Sequence, residues 1–123
     1  MRRVNLFAYL TDDAPDGKGS VITEGRLKAS LRAEATAPFA VPGTPWHRAY
    51  AEDAQPLHAG EAVTLHFQFL PTSYRIAAGH RVGVTLMGAD KSERLRDPGA
   101  AGSVITVLSS AADPSWLDLP LLP

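Results

Sequence analysis

The run at 61–70, EAVTLHFQFL, constrains the fold more than any other stretch. Val63, Leu65, Phe67 and Phe69 alternate with Thr64, His66 and Gln68. Successive side chains of an extended chain point to opposite faces, so this period of two predicts a strand with one buried and one wetter face. The run at 81–87, RVGVTLM, repeats the pattern, with Val82, Val84 and Leu86 set against Arg81, Gly83 and Thr85. Val82, Val84 and Leu86 are expected to form a buried strand face.

Ten glycines and ten prolines punctuate the rest of the chain. That spacing suits short strands joined by turns better than long helices. Residues 4–10 are apolar and read as a strand. Pro15-Asp16-Gly17 is turn chemistry: proline presets φ, aspartate bonds back to the backbone and glycine accepts a positive φ. A second strand beginning at 21–23 then completes a hairpin. Residues 24–35, EGRLKASLRAEA, are good helix formers, but Leu27 and Leu31 make only a thin apolar stripe. The stretch is predicted to continue the strand and to end in a single helical turn.

Pro38, Pro42 and Pro45 recur too closely for regular structure, so the following segment reads as an ordered loop anchored by Phe39 and Trp46. Ala78-Gly79 reads as a turn and 88–103 as a polar connection. Strands are expected at 104–108 and 116–122. About six strands with little helix point to an all-β sandwich in one domain spanning 1–123.

Bulk properties exclude several partners. Twelve basic and thirteen acidic residues give a net charge of −1, which provides no electrostatic reason to bind nucleic acid or an anionic membrane. The absence of cysteine excludes disulfides and cysteine-based zinc sites. The opening MRRVNLFAYLTDD carries Asn5 and ends in Thr11-Asp12-Asp13 rather than in a small-residue cleavage site, so it reads as a strand with a basic flank. No stretch approaches the length of a membrane span, and a cytoplasmic location is expected.

The segment 71–90, PTSYRIAAGHRVGVTLMGAD, contains Thr72, Ser73, His80 and Asp90, the residue types of a hydrolase triad. An α/β-hydrolase presents its serine in Gly-x-Ser-x-Gly on a strained turn between strand and helix. Ser20, Ser73 and Ser103 have no such surroundings, so no catalytic residue is assigned. His80 is expected to bond a neighbouring backbone group, and Thr72 and Ser73 to satisfy backbone groups where the preceding strand ends. His58 and His66 lack metal-ligand spacing. Aligning Asp16-Gly17 with a calcium loop puts Asp12 at the first ligand, but Ala14 and Thr23 fall where ligands are required, so a solvated turn including Asp13 is the better account. No metal or cofactor is assigned. Trp46, Tyr50, Tyr74 and Trp116 could form a sugar-stacking platform, and core packing is the competing account.

FAYL, Pro15-Asp16-Gly17, VITEGRLKAS, PWH, LHAGEAVTLHFQFLPTSYRIAAGHRVGVTLMGAD and DPSWLDLPLLP follow one another in an order that resembles the C-terminal β-sandwich domain of the X-Pro dipeptidyl-peptidase and cocaine-esterase (CocE/NonD) serine hydrolases. Thr23-Glu24-Gly25-Arg26-Leu27 and LPTSYRIAAGHRV are the most specific pieces. The resemblance implies a jelly-roll, galactose-binding-like sandwich. It also implies a non-catalytic role beside an α/β-hydrolase domain, where the domain shapes the pocket or the oligomer. The family's catalytic serine, aspartate and histidine lie in that other domain, and none transfers to this sequence. The family domain normally has strands before the FAYL position, so the chain is expected to be its later part, inactive alone and prone to pair with another copy or with the missing strands. The stretch after Gly88-Ala89-Asp90 lacks the family's usual aromatic residues, which argues against a pocket role for that loop. A carbohydrate-binding β-sandwich module is the alternative function.

Overall fold

The computed structural model describes residues 4–41, 43–88 and 104–123. These residues are nearly all extended chain and turns. Strand β1 (Asn5–Asp13), strand β2 (Gly19–Lys28) and strand β3 (Arg81–Met87) form one antiparallel sheet in the order β2-β1-β3. Helix is confined to two single 3₁₀ turns, Ala29–Leu31 and Ala51–Asp53. Among the described residues no helix is long and apolar enough to cross a membrane. The sheet and its uncovered apolar faces are what an incomplete β-sandwich presents.

The β1–β2 hairpin forms where the turn chemistry places it. The Ala14 amide donates to the Lys18 carbonyl at 2.9 Å, and Gly17 adopts φ 85°. The Asp16 carboxylate accepts from the Lys18 amide at 3.0 Å, the local bond that favours aspartate in turns. Pairing runs from Asn5 opposite Lys28 to Asp13 opposite Gly19. A register shift at Leu10/Thr11 leaves Ile22 as the extra residue of β2, a bulge that increases local twist. The strand then passes into the turn at Ala29–Leu31, as the weak apolar stripe of 24–35 predicts.

β3 lies on the other side of β1, with Phe7 opposite Met87 and Asp13 opposite Arg81. Gly83 faces Thr11 there. A Cβ at Gly83 would meet the Asp13 carboxylate and the Thr11 hydroxyl, so a larger residue here would have to push those two side chains aside. The turn at Ala78-Gly79 is present, with Gly79 at φ 82° and the His80 amide donating to the Ala77 carbonyl.

Three predicted strands do not form ladders. Residues 61–70 are extended, and their burial alternates: Val63, Leu65, Phe67 and Phe69 are half-buried, whereas Thr64 and Gln68 are exposed. They touch the sheet only at its margin, where the Leu70 amide donates to the Glu24 carbonyl at 2.8 Å and the Thr23 hydroxyl donates to the Leu70 carbonyl at 2.8 Å. Residues 104–108 and 116–122 are likewise unladdered. A strand needs a continuous ladder to a partner backbone as well as an alternating pattern, and among the described residues these runs form none. The polar connection expected at 88–103 falls outside the described residues after Gly88.

The core is small and centred on the hairpin. Phe7, Ala8, Leu10, Leu27 and Ala29 are buried. Val82, Val84 and Leu86 are not the buried face expected of them: they are 38, 46 and 41 % exposed. They lie directly opposite the buried Asp12, Leu10 and Ala8 of β1 but are themselves only partly covered. Phe39 is also a poor anchor, because it is exposed and meets Trp46 edge-on at 6.1 Å.

Candidate functional site

Asp12 is the one buried carboxylate among the described residues, and it organises the best-defined polar cluster. Burying a carboxylate is costly unless its oxygens are hydrogen-bonded. Both are. The Tyr74 hydroxyl donates to Asp12 Oδ2 at 2.9 Å, and His80 Nδ1 donates to Asp12 Oδ1 at 2.7 Å. Alternation along β1 places Asp12 on the face opposite Thr11 and Asp13. Tyr74 and His80 reach that face from the segment leading into β3. The cluster thus ties the hairpin to a loop more than sixty positions later in the chain.

Electrostatics follow the bonding. The His80 hydrogen bond, and after it the Tyr74 hydrogen bond, holds the Asp12 carboxyl below its usual range against the opposing effect of burial. Donation to Asp12 pushes the Tyr74 phenol above its usual value.

This arrangement has two of the residue types of a hydrolase triad and, among the described residues, no third. With Nδ1 donating to Asp12, the neutral imidazole would accept at Nε2, where a catalytic serine would lie. No serine hydroxyl among the described residues bonds His80. Ser20 and Ser73 are exposed, while Ser103 and Asp90 lie outside the described residues. The expected backbone bond of His80 is replaced by the Asp12 carboxylate. Among the described residues the Thr72 and Ser73 side chains make no hydrogen bond, and the nearby strand-end carbonyl of Leu70 is satisfied by Thr23 instead. Asp12 was visible in the sequence only as a failed calcium ligand. Its position inside an apolar strand was the available sign of a buried, partnered carboxylate.

The other candidates scatter. His66 Nδ1 donates to Glu34 Oε1 at 2.8 Å and its ring tilts against Trp116 at 5.4 Å. His58 is exposed. Among the described residues no three His, Asp or Glu side chains gather to hold a metal ion. Tyr50 lies under the Arg48 guanidinium at 4.5 Å, and Arg48 pairs with Glu52 and Asp53. Trp46, Tyr50, Tyr74 and Trp116 therefore belong to four different contacts and make no common platform.

A separate pocket of about 260 Å³ opens where Pro45–His47 and 67–70 meet β1 and β2. Phe7, Trp46 and Phe67 supply its apolar wall. Gly25 sits at its edge because a Cβ there would come within 2.5 Å of the Gln68 carbonyl.

The described residues form an antiparallel sheet with a clamped Asp–His pair, as an incomplete β-sandwich presents. The sequence agrees: residues 2–110 match the X-Pro dipeptidyl-peptidase C-terminal non-catalytic domain, and the chain belongs to that family. It is 39% identical over 118 residues to "Putative serine esterase Mb1866c" of Mycobacterium bovis and, to the same extent, to "Putative serine esterase MT1883" of Mycobacterium tuberculosis. Each alignment covers 95% of this chain but 19% of the relative, so the chain spans about a fifth of those proteins. No solved structure gives a significant match.

Proposed function

We propose that residues 1–123 act as the later part of the non-catalytic C-terminal domain of a CocE/NonD-type serine hydrolase. The parent activity is hydrolysis of acyl esters or X-Pro peptides. The domain is a jelly-roll, galactose-binding-like sandwich that packs against an α/β-hydrolase domain and supports its fold, its pocket or its oligomer. The observation that carries this reading is the closed Asp12–Tyr74–His80 cluster. Both carboxylate oxygens are committed to structure, and among the described residues His80 has no hydroxyl to activate. The names of the two mycobacterial relatives support the esterase class.

The test uses the purified chain with nitrophenyl esters and Xaa-Pro anilides, and then the same chain added to the α/β-hydrolase part of a relative. The expected results are no turnover by the chain alone and a raised melting temperature of the hydrolase part on mixing. Turnover by the chain alone, lost on Ser73→Ala or His80→Ala, overturns the reading.

A further inference from the structure

We propose that His66 is a pH-sensitive latch that holds residues 104–123 to the run at 61–70, and that the hold strengthens as the imidazole takes up a proton. The proposal does not depend on the accessory role. It rests on how few polar contacts tie the two segments together and on where His66 stands among them.

The hydrogen bonds of residues 104–123 are local. The Ser110 amide donates to the Asp113 carbonyl at 3.1 Å, and the Asp113 amide donates to Ser110 Oγ at 3.0 Å. The Ser115 amide donates to Ser109 Oγ at 3.0 Å, and the Ser115 hydroxyl donates to the Leu108 carbonyl at 2.6 Å. Among the described residues no hydrogen bond or ion pair runs from this segment to another part of the chain. What joins it to the rest is side-chain packing. Ile105 Cδ1 lies beside Gly88, and the Trp116 ring tilts against His66 with centroids 5.4 Å apart.

His66 is placed to change the strength of the second contact. It lies on the wetter side of the alternation at 61–70, and 41 % of its side chain is exposed, so water can deliver and remove its proton. Its Nδ1 bonds Glu34 Oε1 at 2.8 Å, which orients the ring that Trp116 meets. A neutral imidazole packs on the indole as one aromatic ring on another. A protonated one is a cation within about 6 Å of the indole centroid, and the indole face attracts it. The charged ring also forms an ion pair with Glu34. Acid therefore favours the docked segment, and the neutral ring holds it less tightly.

The other charged groups on the surrounding elements leave this pair alone. Glu61 is the other titratable residue of the 61–70 run, and Arg32, on the Glu34 side, donates to the Ala29 and Gln55 carbonyls. His47 and Arg48 lie on the loop that meets Ala35 through the Trp46 carbonyl, and Arg48 is committed to Glu52 and Asp53. Asp113 and Asp118 belong to the terminal segment itself. None of these forms an ion pair with His66.

The experiment is heteronuclear NMR on the full chain at about pH 8 and about pH 5.5, either side of the range in which histidines ordinarily change charge. Circular dichroism checks the fold at both. The heteronuclear NOE of amides 109–119 reads the order of the terminal segment, with the amides of β1 as internal reference. The cross-peak between the Trp116 and His66 ring protons reads the contact. Both should rise on acidification, by roughly a two- to fivefold gain in docked over free segment, the size of a cation–π contact at an exposed site. His66→Gln and Trp116→Leu should each remove the pH dependence while β1 is unchanged. The leucine keeps an apolar contact and lacks the π face. Equal order and equal cross-peaks at the two pH values in the folded chain overturn the proposal. So does a pH response that persists in either variant.

Discussion

The β1–β2 hairpin and the β3 side of the molecule carry sequence patterns of similar quality, yet only the hairpin is buried. Phe7 and Leu10 of β1 are 4 and 6 % exposed, whereas the equally apolar Val84 of β3 is 46 % exposed. The difference lies in what each can reach locally. The hairpin brings its own partner strand through a five-residue connection, 14–18. β3 has β1 on one edge, but the cover for its apolar face must come from elsewhere. Alternation specifies which side chains share a face; burial of that face is decided by the rest of the assembly.

The contrast can be broken most strongly at its well-packed end. Phe7→Ala should cost about 3–5 kcal/mol, while Val84→Ala should cost about 0.5 kcal/mol or less in the isolated chain. Urea denaturation of the two variants measures both. Equal losses would mean that the β3 face is covered in solution.

Gly25→Ala should come next, at roughly 1–3 kcal/mol, because the new Cβ meets the Gln68 carbonyl. Backbone must move to relieve that contact. The Leu70 amide, which now donates to Glu24, should then exchange faster by hydrogen exchange while amides in β1 stay protected.

The cluster that joins the two regions should respond to acid. The folded Asp12 carboxyl titrates below its unfolded value, near 3.9, so its contribution is present above that pH and disappears as pH falls through the folded pKa. Asp53, depressed first by its hydrogen bond from Arg48, acts with the same sign. Asp12→Asn should therefore flatten, without abolishing, the fall of the urea midpoint between about pH 4 and pH 2. An unchanged acid profile would show that the cluster contributes nothing to stability.

The smallest effect on stability, and the most direct reading of the uncovered face, is association. Exposed Val84, Leu108 and Leu121 give the isolated chain an apolar surface to bury against another copy. Sedimentation should show species larger than a monomer, reduced by Val84→Lys with little change in the urea midpoint. A well-folded monomer at every concentration would refute this.

The features legible in the sequence were those settled within a few residues. Pro15-Asp16-Gly17 identified the hairpin turn, and the thin stripe at 24–35 identified a strand ending in one helical turn. Ala78-Gly79 identified the turn before β3. What escaped depended on distant partners. Residues 61–70 have the best alternation in the chain and no ladder. His80 finds Asp12 rather than nearby backbone, and the pocket assembles from four separated stretches. The family resemblance named the domain, but the fold alone joins Asp12 to Tyr74 and His80.

The sheet order also has a consequence during synthesis. β1 sits in the middle, yet its two neighbours are made at very different times. β2 is finished at Lys28, whereas β3 ends at Met87. At about 5–20 residues per second, the ribosome needs roughly 3–12 s to make the intervening chain. A hairpin closes in microseconds. Throughout that interval β1 has its inner edge paired and its outer edge open, and the carboxylate of Asp12 waits for both of its hydrogen-bond donors. A nascent chain in this state offers an unpaired edge to its neighbours on the same message, and the arrival of β3 with Tyr74 and His80 ends that exposure.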